Sequence, residues 1–64
     1  MVKKTNKIKE FRIKHNLKQT DLANQLNVTR YAVAQWETDR TLPRAEILIQ
    51  LSKIFKCKID DLIC

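Results

Sequence analysis

Apolar residues recur along this chain at helical spacing, and Val, Ile and Thr nowhere alternate for long in strand fashion. Ile8 and Phe11 fall on one side of a segment whose Lys7, Lys9 and Lys14 fall on the other, which predicts a helix over about 5–15. Leu17 seals the turn after it. Leu22, Ala23 and Leu26 predict a second helix over about 19–26. Asn27 then supplies a side chain that tolerates the left-handed backbone of a tight turn, and Val28 plugs the angle behind it. Thr29 is a good cap for a third helix over about 30–38. Asp39 to Leu42 form a loop. Pro43 opens a fourth helix over about 44–55, with Ala45, Leu48, Leu51, Ser52 and Phe55 on one face. A short helix over about 59–63 turns Leu62 inward. The expected fold class is therefore all-α, a compact bundle of five helices.

The third helix carries the chemistry. At about 100° per residue, Ala32, Val33 and Trp36 project together toward helices two and four. Arg30, Tyr31, Ala34, Gln35 and Thr38 project the other way. That outward set suits the edges of base pairs in a DNA major groove. Arginine donates to guanine O6 and N7, and glutamine pairs with adenine N6 and N7. Tyr31 can meet a thymine methyl or a phosphate, and the small Ala34 permits close approach. A merely solvated helix face fits the amphipathicity equally well. The tight turn in front of the helix and the charge of the chain favour the DNA reading.

With 64 residues the chain is expected to be one domain, 1–64, with its core over about 5–63. Thirteen Lys and Arg against seven Asp and Glu give a net charge of +6 and favour a polyanion as partner. Glycine is absent and Pro43 is the only proline, so no flexible linker is expected. The opening Met-Val-Lys-Lys-Thr-Asn-Lys lacks a signal peptide's apolar stretch, and no run approaches a membrane span, so a cytoplasmic protein is expected. Cys57 reads as a small buried hydrophobe and Cys64 as an exposed terminal residue. Neither has a partner at zinc-ligand spacing, so neither metal nor cofactor is expected. His15, the one histidine, sits among lysines, and no nucleophile–base set or phosphate loop can be assembled. The chain does not read as an enzyme.

The segments Gln19-Thr20-Asp21-Leu22-Ala23, Leu26-Asn27-Val28-Thr29 and Val33-Ala34-Gln35-Trp36-Glu37, with Pro43 six residues beyond the Glu, together resemble the Cro and phage-repressor (XRE) type of helix-turn-helix regulator. The closing Phe55-Lys56-Cys57-Lys58-Ile59-Asp60-Asp61-Leu62 also resembles the family's last-helix ending. The likeness spans about residues 8–62. It implies a lambda-repressor-like domain, with the helix-turn-helix in helices two and three, that binds double-stranded operator DNA as a symmetric homodimer. It implies base reading by Arg30, Tyr31 and Gln35, with Thr29 and Ala34 beside them, and a phosphate faced by both the side chain and the backbone N–H of Gln19 at the start of helix two. It also implies that Arg12 and Glu37 form an ion pair linking helix one to helix three; two independent surface charges are the plainer alternative.

Two departures from the family pattern stand out. Asn27 and Asp39 occupy places where the family favours Gly, which implies positive φ with some strain. Lys18, Arg44 and Lys58 occupy cap positions where the family favours Ser. Each forfeits a cap worth about 1 kcal/mol and puts a cation at the positive end of a helix. Lys18 and Arg44 there could exchange stability for contacts with DNA phosphates, and Thr38, Arg40 and Thr41 would extend that edge.

A monomer this small offers few base contacts, which favours two copies on a pseudo-palindrome. The resemblance puts the dimer surface near Lys58, Ile59 and Asp61. The sequence adds Ile47, Ile54 and Ile63, which read equally well as the edge of the core. A repressor is the favoured function. The alternatives are the DNA-binding antitoxin of a toxin–antitoxin pair and a protein–protein module that has lost DNA binding. Arg30 and Gln35 on the outward face argue against the last. A toxin or antirepressor stays open as protein partner, and no membrane partner is expected.

Overall fold

The structure, a computed structural model, describes residues 7–63. Within them are five helices and no strand: α1 (Ile8–Lys14), α2 (Gln19–Leu26), α3 (Arg30–Glu37), α4 (Ala45–Phe55) and α5 (Ile59–Leu62). None is long and apolar enough to cross a membrane. The bodies of the helices lie where the periodicity predicts, with shorter ends. Lys7 and His15 flank α1 rather than lying within it, and predicted positions 5 and 6 fall outside the described residues, as does Cys64. Thr38 caps α3 and Ile63 follows α5. Pro43 does not open α4: Arg44 is its cap and Pro43 lies buried one residue earlier. Ala45, expected inward, is exposed; it is the first residue of α4, and the buried residues of that helix, Leu51 and Phe55, lie further along it.

One core serves all five helices. Ile8, Leu22, Ala23, Leu26, Val33, Trp36, Leu51, Phe55 and Leu62 are buried in it, and Phe11, Leu17, Val28, Ala32, Ile47, Leu48, Ile54 and Cys57 pack against it. Every helix thus contributes to one buried apolar interior. The ring of Phe11 stacks on Phe55 at 5.6 Å, and that of His15 tilts over the same ring at 5.3 Å. The Lys7 N–H donates to the Leu62 carbonyl at 2.7 Å, tying the start of the fold to its end. Cys57 is half-buried rather than fully covered; burial, and then the charge of Asp61, push its thiol pKa up and keep it protonated.

Four helices end by one device. Asn16, Asn27, Asp39 and Lys56 have φ of 58°, 58°, 60° and 53°. In each case the next residue's N–H reaches back five positions: Leu17 to Arg12, Val28 to Ala23, Arg40 to Gln35 and Cys57 to Ser52, at 2.9–3.0 Å. This is the Schellman ending, in which a left-handed residue lets the chain turn and satisfies an orphan carbonyl. Leu17, Val28 and Cys57, the residues just past three of these turns, pack on the core. Positive φ was expected at Asn27 and Asp39; the structure adds Asn16 and Lys56.

The helix starts are better satisfied than the missing Ser caps suggest. A lysine ammonium has no lone pair with which to cap. The Asp21 carboxylate, however, accepts from the Lys18 N–H at 2.9 Å, and the Asp61 carboxylate from the Lys58 N–H at 3.2 Å. Half of a capping box therefore survives at α2 and α5, and each aspartate offsets the cation at the helix's positive end.

Candidate nucleic-acid interface

The tight turn between α2 and α3 consists of Asn27, Val28 and Thr29. Thr29 begins α3, its hydroxyl oxygen accepting from the Ala32 N–H at 3.2 Å. Val33 and Trp36 anchor the inner face of α3 in the core, with Ala32 half-buried beside them. The outer face is then set by geometry. Arg30, Tyr31 and Thr38 are exposed, Ala34 and Gln35 half-buried, and Tyr31 is 71% accessible. Tyr31, Ala34, Gln35, Thr38 and Arg40 line a shallow, mostly carbon-walled depression on this face. The Thr38 hydroxyl contributes little polarity to it, because its proton is directed at the Ala34 and Gln35 carbonyls, 3.1 and 3.2 Å away. A phosphate contact through Thr38 would have to displace that bond.

Behind the outer face lies a buried polar network. Glu37 is 7% exposed, and both its carboxylate oxygens are occupied. Arg12 Nε donates to Oε2 at 2.6 Å and Nη2 to Oε1 at 3.2 Å. Arg12 Nη1 donates to the Leu17 carbonyl at 2.7 Å, so α1, the following turn and α3 are joined by one guanidinium. Gln19 Nε2 adds a third bond to Glu37, at 3.0 Å to Oε1. The other end of the Gln19 amide accepts from Arg30 Nη1 at 2.9 Å. No buried side-chain nitrogen or oxygen among the described residues lacks a partner.

The Gln19 side chain, expected to point at a phosphate, is instead turned to Glu37 and Arg30 within the protein, because its amide fits between a carboxylate that accepts and a guanidinium that donates; its backbone N–H lies in the first turn of α2. The link from Gln19 to Arg30 is not foreseen from the sequence. Its one trace there is that two long polar side chains stand at the first positions of two helices joined by a fixed turn.

Lys18, Arg40, Thr41 and Arg44 are exposed at the start of α2, in the α3–α4 loop and at the cap of α4. Of the residues expected at a dimer surface, Lys58 and Asp61 are exposed and Ile59 half-buried; Ile63 is 37% accessible, while Ile47 and Ile54 pack against the core. Ile47 also lines an open groove with Val28, Trp36, Leu42 and Arg44, where Leu42 is 60% accessible. Among the described residues no group of His, Cys, Asp or Glu is placed to hold a metal ion.

Comparison with known proteins agrees with this architecture. Residues 8–62 match the helix-turn-helix family. The transcriptional activator BcrR of Enterococcus faecalis is 40% identical over 57 residues, covering 89% of this chain but 28% of that protein. An uncharacterized helix-turn-helix regulator of Methanocaldococcus jannaschii is 37% identical, with 89% of this chain and 86% of the relative covered. The repressor protein C2 of Salmonella phage P22 is 35% identical, and 26% of its length is covered. The chain therefore spans about a quarter of two of these relatives and most of the third. Among solved structures, the P22 c2 repressor, crystallised with a synthetic operator, superposes with a TM-score of 0.83 at 35% identity, covering 89% of this chain and 86% of that one. A transcriptional regulator from Listeria innocua gives 0.82 at 34% identity, covering 88% and 52%. In sequence and in fold alike, this chain belongs to the helix-turn-helix family of transcriptional regulators of the Cro and phage-repressor type.

Proposed function

We propose that the chain is a sequence-specific DNA-binding repressor that occupies a pseudo-palindromic operator as a homodimer, with α3 of each copy in the major groove. The observation that carries this reading is the outer face of α3. Arg30, Tyr31, Ala34 and Gln35 lie on one side of a helix whose other side is anchored by Val33 and Trp36, so they can approach base edges without unfolding anything. The solved P22 repressor–operator complex has the same architecture.

Each group then has a distinct task. Arg30 reads guanine and Gln35 reads adenine, while the carbon-walled depression around Ala34 takes a thymine methyl. Thr29 stands beside them at the helix start. Lys18, the Gln19 N–H, Thr38, Arg40, Thr41 and Arg44 lie along the edge that meets the phosphates and set the register of the helix on the duplex. Lys58, Ile59 and Asp61, with the neighbouring Ile47, Ile54 and Ile63, supply the surface between the two copies. Once half-sites have been defined by selection, sedimentation of the protein with duplexes carrying one or two of them tests the assembly. Cooperative binding of two copies to the paired site is expected. Independent binding of one copy per half-site would contradict the dimer.

A further inference from the structure

One side of α1 stays uncovered. Lys9, Glu10, Ile13 and Lys14 are exposed there, and Ile13 is 55% accessible. Beside them Lys7, Glu10, Phe11 and Lys14 line a shallow hollow, with the ring of Phe11 as its aromatic wall. None of the three lysines, nor Glu10, has an ion-pair partner among the described residues. At about 100° per residue, Glu10, Ile13 and Lys14 point away from the side on which Ile8 enters the core and Arg12 meets Glu37. Glu37 lies behind the outer face of α3, so this side of α1 is turned from the surface that would meet DNA.

We propose that this side of α1 docks a protein segment rich in Asp and Glu that carries an apolar anchor residue. Three ammonium groups to one carboxylate set the sign of the partner. Ile13 and the hollow beside Phe11 set its other half. An apolar anchor seated there leaves water, while acids on either side of it meet the lysines at the rim. The same features disfavour other polyanions. A phosphate backbone asks for donors, and Ile13 has none to give. An anionic bilayer asks for a broad apolar stripe, whereas α1 is seven residues long and exposes one isoleucine and part of one phenylalanine. The contact is small, so the complex is transient. A segment held here rides on the protein while DNA occupies α3, whereas an acidic segment on α3 itself would displace DNA.

The test is selection of a displayed library of short random peptides on the full chain, with excess duplex DNA present to occupy α3. The selected peptides are then titrated against the full chain, Ile13→Ser, and the double variant Lys9→Glu, Lys14→Glu. Ile13 is exposed, so Ile13→Ser is expected to keep the melting temperature and the DNA affinity of the parent. The peptides are expected to share acidic residues around an apolar one. Ile13→Ser should weaken them about tenfold, and reversal of the two lysines should abolish their binding. Their amide shifts should fall in α1 and spare α3. Selected peptides without that pattern, or held equally well by Ile13→Ser, would overturn the docking site. So would peptides that shift α3 and are released by more duplex, which would assign them to the DNA surface. Binding of phosphatidylserine vesicles that Ile13→Ser abolishes would overturn it in favour of a lipid surface. A chain that bound no duplex would refute the DNA reading of α3 and leave the peptide result to decide the role of α1.

Discussion

Arg12 and Glu37, twenty-five residues apart, meet edge to edge across the junction of α1 and α3, the guanidinium Nε 2.6 Å from Oε2. A pair this covered stabilises weakly as a unit, because both charges have left water, yet breaking it strands one of them. Glu37→Ala or Arg12→Ala should therefore cost about 3–5 kcal/mol in urea unfolding. Replacing both together by Met and Leu should cost clearly less than the sum of the two single changes. Equal and additive losses would mean that the two charges act independently.

Lys56 is the least expected of the left-handed residues. Asn and Asp visit that region with help from their short polar side chains, whereas a lysine has no such compensation and the strain is of the order of 1–2 kcal/mol. Lys56→Gly should stabilise the fold by about 1 kcal/mol, after the entropy that glycine adds to the unfolded chain. Asn27→Gly should gain less. Thermal unfolding of the two variants checks the order.

The core of this protein is legible in its sequence because amphipathic helices announce themselves. Leu22, Leu26, Val33, Trp36, Leu51 and Phe55 recur at helical spacing and are all buried. Lys56 is not legible as a turn, because its φ is imposed by the path from α4 to α5 and not by its own side chain. The exposure of Ile13, 55% accessible, is hidden for a similar reason: an apolar side chain on α1 is covered only if another element arrives to cover it. At the site, the outward face of α3 follows from periodicity, but the bond from Gln19 to Arg30 depends on how two helices cross, which periodicity within either helix does not encode. The aspartates that partly restore the caps could have been recognised, since Asp21 and Asp61 each stand three residues after a lysine cap.

Lys18 and Arg44 link folding to DNA binding. Serine at both positions should add caps worth about 1 kcal/mol each and raise the melting temperature. If both lysine and arginine touch phosphates, the same double variant should flatten the salt dependence of DNA affinity, its log–log slope falling by about one for each phosphate no longer neutralised. A higher melting temperature with an unchanged slope would confine these residues to folding.

The depression around Ala34 predicts that a methyl group matters. In a selected site, replacing the thymine that faces it by uracil should weaken binding by about 0.8 kcal/mol, roughly fourfold, while the same exchange at uncontacted positions should do nothing. Titration of labelled duplexes makes the comparison directly.

The account rests on α3 as a reader of base edges, and selection of bound sites from random duplex DNA, repeated with Arg30→Ala and Gln35→Ala, tests it most directly. The account predicts that each variant loses its preference at one defined base per half-site while holding on to DNA in general. Uniform weakening on every sequence, with the selected motif unchanged, would contradict it.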